Sequence, residues 1–344
     1  MKWTIERGAL LRSLGHVQSV VERRTTIPIL SNVKLEAADG RLNLSATDMD
    51  LDIVGSVEAE VANPGALTAP ALTLYEIIRR LPDGSQVEID SDGMDGQLAL
   101  RSGRSNFTLA CLPVEDFPAI DGANLPHAFK LSAGDLRVLI DRTQFAISTE
   151  ETRYYLNGIY LHPAERDGVD VMRAVATDGH RLASAEVPLP EGAAGMPGVI
   201  VPRKTVTEIR KLIDESGDEI DIALSDTKIR FAFDDAVMTS KLIDGTFPEY
   251  ERVIPSNNDK ELEVDRKSFA AAVDRVSAIS NEKSRAIKLE LKNDVLILSA
   301  SSPDSGSAIE EVEVNYRGEG LEIGFNSRYL LDITKQIEGD NARL

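Results

Sequence analysis

The segment Ala176–Leu182 carries the side chains best suited to chemistry. It reads Ala-Thr-Asp-Gly-His-Arg-Leu and places a carboxylate two residues before an imidazole, a pair that can bind a metal ion or move a proton. The chain has four histidines, and none belongs to an HxxxH or HExxH motif. Because an aspartate in a turn also hydrogen-bonds to its own backbone, the segment is equally consistent with a structural turn.

The residues before this segment place it at the end of a strand. Val171–Ala176 is apolar and partly β-branched, which predicts a strand, and Asp178-Gly179 then predicts a turn. A second mixed segment, Arg153–Gly158, lies just upstream. Both segments combine aromatic, apolar and charged residues in a way that a buried strand does not, so both are candidates for function.

The chain repeats itself at a nearly constant interval. Short segments recur 130 or 132 residues further on, in the same order. The matching pairs are Ala46–Asp48 with Ala176–Asp178, Ala69-Pro70 with Val201-Pro202, Glu76-Ile77 with Glu208-Ile209, and Phe117-Pro118 with Phe247-Pro248. A fainter third copy places Asp332-Ile333 a further 124 residues along. Such self-similarity indicates one structural unit built several times.

Each unit carries the same predicted elements: an amphipathic helix, alternating strands, a second helix and, in the first two units, closing strands. The predicted helices are Glu6–Val21, Leu72–Leu81, Ala133–Phe145, Lys204–Ile213, Arg266–Val276 and Arg328–Ile337. Linkers rich in Pro and Asn divide the chain into residues 1–125, 126–257 and 258–344. The predicted fold class is α+β, with three tandem pseudo-repeated domains, each of mostly antiparallel sheet with two helices on one face.

The third unit is shorter than the other two. Carrying Phe247 forward by the interval of the fainter copy leaves this unit roughly 27 residues incomplete at Leu344. The closing strands would begin at residues 341–344. We therefore expect a truncated third domain with an open sheet edge.

Composition limits the class of protein. Apolar residues make up 42% and charged residues 28% of the chain, as in an ordinary globular protein. The single Cys111 excludes an intramolecular disulfide and suits a reducing cytosol. No apolar signal segment opens the chain and no apolar run approaches the length of a membrane span, so we expect a cytoplasmic protein with no membrane contact.

The distribution of charge matters more than its sum. A formal net charge of −19 argues against general attraction to nucleic acid. However, the predicted helices are rich in cations, among them Arg79, Arg80, Arg203 and Lys204, while acids concentrate in strands and loops. A cationic helical face could bind phosphates without reading bases. The alternative is an ordinary solvated helix face with ion pairs between successive turns.

The motifs of common enzyme classes are missing from the sequence. It contains no phosphate-binding GxxxxGK[ST] loop, no GxGxxG and no GxSxG. Asp48, Asp50 and Asp52 could hold Mg²⁺, or could be solvated acids of an edge strand. A metal-dependent nuclease would use Asp48, Asp178 and His180, but the repeat assigns the two aspartates to different units. We therefore predict a non-enzymatic protein with no metal and no cofactor; a repeat protein that binds proteins but not DNA is the other alternative.

Several segments closely resemble the bacterial DNA polymerase III β sliding clamp family. They are Ile27–Asn32, Arg101–Ser105, Arg153–Gly158, Ala176–Leu182, Val201–Lys204 and Phe247-Pro248, and the resemblance extends from Met1 to Leu344. It implies a DNA clamp fold, in which two crescents of three domains close head to tail into a homodimer ring. Helices would line a hole around double-stranded DNA, bound without sequence specificity, and sheets would form the outside.

The resemblance also implies a function. The ring would be a non-catalytic subunit of the polymerase holoenzyme that gives processivity in replication and repair. It would tether the polymerase catalytic subunit and bind the clamp loader and repair polymerases, each through a short linear peptide.

Three groups of residues match functional positions of that family. Arg24, Tyr154 and Tyr155 match positions near DNA and join Arg79, Arg80, Arg203 and Lys204 of the cationic helices. The implied partner-peptide pocket consists of Leu156, Thr177, Gly179, His180, Arg181, Leu182, Pro248, Val253, Asn326 and Tyr329. The implied dimer interface joins Phe107 and Leu109 to Ala278 and Ile279 of a second subunit, where the family often has a larger residue than Ala278. The family's last residues form one wall of the pocket, and without them we expect weaker partner binding.

Overall fold

The computed structural model describes residues 1–22, 25–91, 93, 96–119, 124–214, 217–256, 258–280 and 285–344. The chain divides into two compact units, Met1–Phe247 and Pro248–Leu344. The first unit contains two of the predicted repeats and the second unit contains the third.

The first repeat begins with a strand whose last residue caps a helix. Glu6 accepts a hydrogen bond from the Ala9 backbone N–H at 2.9 Å, and the predicted helix ends earlier than expected, at Gln18. The elements are β1 (Lys2–Glu6), α1 (Arg7–Gln18), β2 (Asn32–Ala38), β3 (Arg41–Thr47), β4 (Leu51–Glu58), β5 (Glu60–Asn63), β6 (Gly65–Pro70), α2 (Ala71–Arg80), β7 (Gln86–Asp90), β8 (Gln97–Ser102) and β9 (Ser105–Ala110). Short 3₁₀ helices cover Pro28–Ser31 and Val114–Asp116.

The second repeat follows the same order. Its first helix is capped by Ser132, which accepts from the Asp135 N–H at 2.9 Å as the sequence predicts. The elements are β10 (His127–Ser132), α3 (Ala133–Asp141), β11 (Gly158–Arg166), β12 (Val169–Thr177), β13 (Leu182–Pro188), β14 (Val199–Pro202), α4 (Arg203–Ile213), β15 (Glu219–Leu224), β16 (Lys228–Ala232) and β17 (Ala236–Lys241). The 3₁₀ helices Gln144–Ala146 and Glu151–Leu156 lie between α3 and β11.

The second unit contains the third repeat. Asp265 and Asn326 cap its two helices through bonds from the Ser268 and Arg328 N–H groups, at 2.7 and 3.0 Å. The elements are β18 (Glu263–Asp265), α5 (Arg266–Ser277), β19 (Ala286–Lys292), β20 (Val295–Ser302), β21 (Gly306–Glu313), β22 (Leu321–Asn326), α6 (Ser327–Thr334) and β23 (Asn341–Arg343), after a 3₁₀ helix at Tyr250–Val253. The strand β23 lies where the closing strands were predicted, and it pairs with β18 as β7 pairs with β1.

One sheet crosses from the first repeat to the second. Its strand order is β10-β15-β16-β17-β4-β3-β2-β6, and the crossing is the antiparallel pair β4–β17, with Asp52 opposite Thr239. The first unit also contains the sheets β5-β1-β7-β8-β9 and β13-β12-β11-β14. The second unit contains β18-β23 and β21-β20-β19-β22. The first two repeats therefore share a backbone ladder as well as a hydrophobic core.

The packing of the helices is repeated three times. The helix pairs α1–α2, α3–α4 and α5–α6 are each in contact, and α1, α3 and α5 pack on the equivalent strand pairs β3–β4, β12–β13 and β20–β21. The strand that precedes each second helix has the same register, so that Pro70, Pro202 and Asn326 take equivalent positions. This confirms the predicted α+β architecture of repeated units. In the part of the chain that the structure describes, no helix is long and apolar enough to cross a membrane.

Candidate functional site

The Thr-Asp segment of the second repeat is a hydrogen-bonded turn. The Thr177 hydroxyl accepts from the Gly179 N–H at 3.1 Å and donates to the Arg181 carbonyl at 2.7 Å. One Asp178 carboxylate oxygen accepts from the N–H groups of His180 and Arg181, both at 3.0 Å. The carboxylate therefore organises the backbone between β12 and β13, which is the structural alternative considered for this segment.

Arg181 points inward from this turn. Its Nε donates to the other oxygen of Asp178 at 3.1 Å, and its Nη2 donates to the Phe145 carbonyl at 2.7 Å. The guanidinium also lies 5.2 Å from the centre of the Phe145 ring, within the range of a cation–π contact. His180, by contrast, is exposed. Arg181 is thus held by three separate contacts, and its predicted contact with a partner peptide stays a prediction.

The two candidate segments contact each other through Arg153 and Gly179. Gly179 has a φ of +85°, which favours glycine, and a Cβ built there would lie 2.4 Å from Arg153 Nη1, so a larger residue would also require the guanidinium to move. Arg153 also donates to Glu150 at 2.8 Å, and this bond lowers the pKa of the Glu150 carboxyl. The next residues, Tyr154 and Tyr155, make an edge-to-face pair with ring centres 5.8 Å apart.

The pocket residues of the first unit lie at one end of the β13-β12-β11-β14 sheet. Leu156 is buried and ends the 3₁₀ helix before β11, while its carbonyl accepts from the Ser148 N–H at 3.1 Å. Thr177, the last residue of β12, pairs with Leu182, the first residue of β13. The structure therefore brings together the six first-unit residues predicted for the pocket: Leu156, Thr177, Gly179, His180, Arg181 and Leu182.

The second unit carries the other four predicted pocket residues. Pro248 and Val253 are exposed, and Val253 is the last residue of the 3₁₀ helix Tyr250–Val253. Asn326 and Tyr329 lie at the start of α6, where Asn326 is the N-cap. An exposed valine on a short helix is the kind of apolar surface that a peptide side chain can cover.

The predicted DNA-binding arginines of α2 are already paired. Arg79 donates a hydrogen bond to one oxygen of Glu76 at 2.8 Å, and the Arg80 guanidinium forms an ion pair with the same oxygen at 2.9 Å. The hydrogen bond from Arg79 lowers the pKa of Glu76 and so keeps this carboxyl ionised. Arg24 lies outside the described residues.

Arg203 and Lys204, at the start of α4, differ in their surroundings. Arg203 is exposed. Its backbone N–H donates to the Asn157 carbonyl at 2.9 Å, which joins the start of α4 to the end of the tyrosine segment. The Lys204 ammonium instead binds the carboxylate of Asp48 and, at 3.0 Å, the carbonyl of Val20, both in the first repeat. Lys204 therefore joins two repeats, and its predicted contact with DNA stays a prediction.

The residues predicted for the dimer interface lie at sheet edges or at a helix end. Phe107 and Leu109 point to the same side of β9, the last strand of its sheet, and both are half-buried. Ala278 is the C-cap of α5, and Ile279 follows it. The last strand of the third-repeat sheet is β21, which carries Glu311 and Glu313 on one face.

The three aspartates whose spacing could suit Mg²⁺ make other contacts. Asp48 binds Lys204, Asp50 binds the Lys241 ammonium at 3.0 Å, and Asp52 is half-buried beside Thr47. Burial raises the pKa of Asp52. Within the described ranges no group of three or more His, Cys, Asp or Glu side chains is arranged to hold a metal ion.

Three contributors to these surfaces had no role assigned from sequence. Phe145 and Arg153 hold the Thr-Asp turn, and Glu76 holds two arginines. Only Glu76 left a signal, since an acid three and four residues before two arginines on a helix predicts ion pairs. The other two contacts join segments that are distant in the chain.

Comparison with known proteins agrees with this geometry. Three family models match: the N-terminal domain of the DNA polymerase III beta subunit over residues 1–121, its central domain over 130–249 and its C-terminal domain over 251–344. The chain is 55% identical to the beta sliding clamp of Caulobacter vibrioides (strain NA1000) over 342 residues, 99% of this chain and 92% of the relative.

Solved structures match along the whole chain. A sliding clamp from Bartonella birtlesii bound to griselimycin is 51% identical with a TM-score of 0.97, and one from Pseudomonas aeruginosa bound to the same compound is 42% identical with a TM-score of 0.93. Both matches cover 100% of this chain and 92% of the other. The chain therefore belongs to the DNA polymerase III beta subunit family, the beta sliding clamps, and is a non-catalytic processivity factor of DNA replication.

Proposed function

We propose that residues 1–125, 126–257 and 258–344 are three clamp domains, and that two copies close into a ring in the bacterial cytoplasm. The edge strands β9 and β21 would pair between copies, with Phe107 and Leu109 of one copy packing on Ala278 and Ile279 of the other. Two observations support this pairing: both strands end their sheets, and the charges are complementary. Arg104 directly precedes β9 and Arg101 lies on β8 opposite Asn106 of β9, while β21 carries Glu311 and Glu313.

Duplex DNA would contact the helices and the tyrosine segment. The observation that supports this proposal is the hydrogen bond from the backbone N–H of Arg203 to the backbone carbonyl of Asn157, which joins the start of α4 to the end of the tyrosine segment. Arginine there can bind phosphate, and the exposed Tyr154 can stack on an unpaired base. Arg79 and Arg80 would add phosphate contacts, and Arg24 and Lys204 belong to the same proposed group.

Partner proteins would bind through a short linear peptide. The polymerase catalytic subunit, the clamp loader and repair polymerases would compete for the ten predicted pocket residues. These are Leu156, Thr177, Gly179, His180, Arg181 and Leu182 of the first unit and Pro248, Val253, Asn326 and Tyr329 of the second. The apolar members would take an anchor side chain, and the side chains of His180 and Arg181 would offer polar contacts at the rim. The relatives crystallised with griselimycin indicate that clamps of this family bind compounds other than DNA.

The test is topological. Labelled protein is placed on nicked circular DNA with a clamp loader and ATP, and its retention is measured before and after linearisation. A ring should be retained on circles and lost from linear DNA. Equal retention on both forms would contradict encirclement, and sedimentation equilibrium showing a strict monomer would contradict the dimer.

A further inference from the structure

Arg79, Arg80 and Glu76 form an exposed group of ion pairs on α2. One carboxylate oxygen of Glu76 accepts a hydrogen bond from Arg79 and forms an ion pair with Arg80 on the last turns of α2. The side chains of Glu76, Arg79 and Arg80 are 39%, 52% and 74% exposed, so all three are accessible to a large ligand. The two arginines therefore have an internal anion bound at a surface where they are proposed to meet an external one.

A guanidinium binds carboxylate and phosphate oxygens with the same donor geometry. A phosphate that binds through the Nη2 group of Arg79 or Arg80 therefore competes with Glu76 for it, and one that binds through the other N–H groups lies beside the carboxylate. The carboxylate also places a negative charge beside any phosphate that does bind, which opposes its approach.

Glu208 and Asp141, which pair with cations of α4, are less easily displaced by a phosphate. Lys211 donates to Glu208 at 2.8 Å, but Glu208 is buried and also accepts from the Ser19 hydroxyl at 2.5 Å. Arg210 donates to Asp141 at 2.5 Å and is itself largely buried. Glu208 and Asp141 each join α4 to another element, through Ser19 and Arg210 respectively, whereas both Glu76 pairs lie within α2.

We propose that Glu76 is an internal competitor for DNA phosphate. It keeps Arg79 and Arg80 oriented while no phosphate is present, and it weakens their hold on any one phosphate so that the contact exchanges readily as the clamp moves along the duplex. The inference rests on the proposed DNA contact of the two arginines.

The test uses a matched pair of charge-neutralising substitutions. Glu76→Gln removes the competing charge. Glu186→Gln removes the same charge from another carboxylate that holds two arginines, Arg173 at 2.7 Å and Arg166 at 3.1 Å, on the strand β13 and not on a helix. Affinity for a fluorescein-labelled primed duplex is measured by anisotropy at about 50 mM and about 200 mM salt.

We expect E76Q to bind the duplex about threefold tighter than the parent at the lower salt, with a steeper loss of affinity as salt rises, because more phosphate charge is neutralised. E186Q should match the parent. Equal tightening by both variants would overturn the proposal, since the effect would then come from net charge alone. Unchanged or weaker binding by E76Q would also overturn it, since Glu76 would then serve only to orient the arginines.

A third protein separates this inference from the proposed function. The double variant R79Q/R80Q should bind the duplex more weakly than the parent. If it does so while E76Q is unchanged, the DNA contact stands and the competition fails. If R79Q/R80Q binds as the parent does, the DNA contact of α2 fails and the competition fails with it. Circular dichroism of each variant confirms that loss of binding is not loss of folding.

Discussion

The turns at Thr47 and Thr177 have the same backbone and different tasks. In both, the threonine hydroxyl accepts from the N–H two residues on, at 2.9 Å from Met49 and 3.1 Å from Gly179. In both, the next aspartate accepts from two following N–H groups, which for Asp48 are those of Asp50 and Leu51 at 2.9 and 2.7 Å. Met49 and Gly179 both have positive φ, +78° and +85°.

The two turns differ in what surrounds them. The second oxygen of Asp48 binds Lys204 of the other repeat, whereas that of Asp178 binds Arg181 in its own turn. The left-handed position holds an exposed methionine in one turn and, beneath Arg153, a glycine in the other. The comparison teaches that a repeated backbone can be preserved while one copy, through Asp48 and Lys204, links two repeats and the other binds an arginine of its own turn.

The largest effect should come from removing the ion pair between Asp48 and Lys204, which links the first two repeats. Asp48→Ala removes an ion pair across the repeats and two turn hydrogen bonds, and it should lower the free energy of unfolding by about 2 kcal/mol. Urea unfolding followed by the fluorescence of Trp3, the single tryptophan, reports this in the first unit. Asp178→Ala removes the matching turn bonds without an inter-repeat ion pair, so it should cost less.

A double-mutant cycle identifies the partner of Asp48. Lys204→Met alone should destabilise the first unit, and the loss in Asp48→Ala/Lys204→Met should be smaller than the sum of the two single losses. Strict additivity would show that the ion pair between Asp48 and Lys204 contributes nothing to stability.

Gly179→Ala should have the next largest effect. The new Cβ would clash with Arg153 Nη1 at 2.4 Å and would sit at a positive φ, for a cost of about 1–2 kcal/mol. Thermal unfolding measures this cost, and adding Arg153→Ala should restore part of it by removing the clash. No restoration would place the whole cost in the backbone.

The matching change in the first repeat should act in the opposite direction. Met49 is 50% exposed, so Met49→Gly loses little apolar burial and relieves a left-handed residue. We expect a gain of about 0.5 kcal/mol after the entropic cost of glycine is subtracted. A loss measured by the same urea assay would show that Met49 makes a contact that outweighs its backbone strain.

The smallest expected effect is the pH dependence that Asp52 adds to stability, and Asp52 lies just after the first turn. Asp52 and Leu182 occupy equivalent places opposite Thr47 and Thr177. Burial raises the folded-state pKa of Asp52 above the ordinary 3.8, so the folded state holds this proton more readily than the unfolded state does. The contribution of Asp52 to the free energy of unfolding should therefore fall as pH rises from 3.8 through the raised pKa. Asp52→Asn should flatten that decline, and identical pH profiles for parent and variant would contradict it.

The sequence predicted regular elements better than the contacts between them. Ser132 marked a helix start because capping needs only local spacing, and the repeat predicted where each helix pair would recur. The end of α3 was predicted four residues late, since Thr143 turns its hydroxyl back to the Leu139 carbonyl, at 2.6 Å, and the chain tightens into a 3₁₀ helix. That Lys204 would bind Asp48 could not be foreseen, because 156 residues separate them.

The ladder between β4 and β17 has a consequence for dissection of the molecule. Cutting the chain between the first two repeats and separating the pieces would strip the partner from each strand and leave two unprotected edges, which favour aggregation. We expect residues 1–247 to unfold in a single cooperative transition. A fragment of one repeat alone should aggregate when it is expressed.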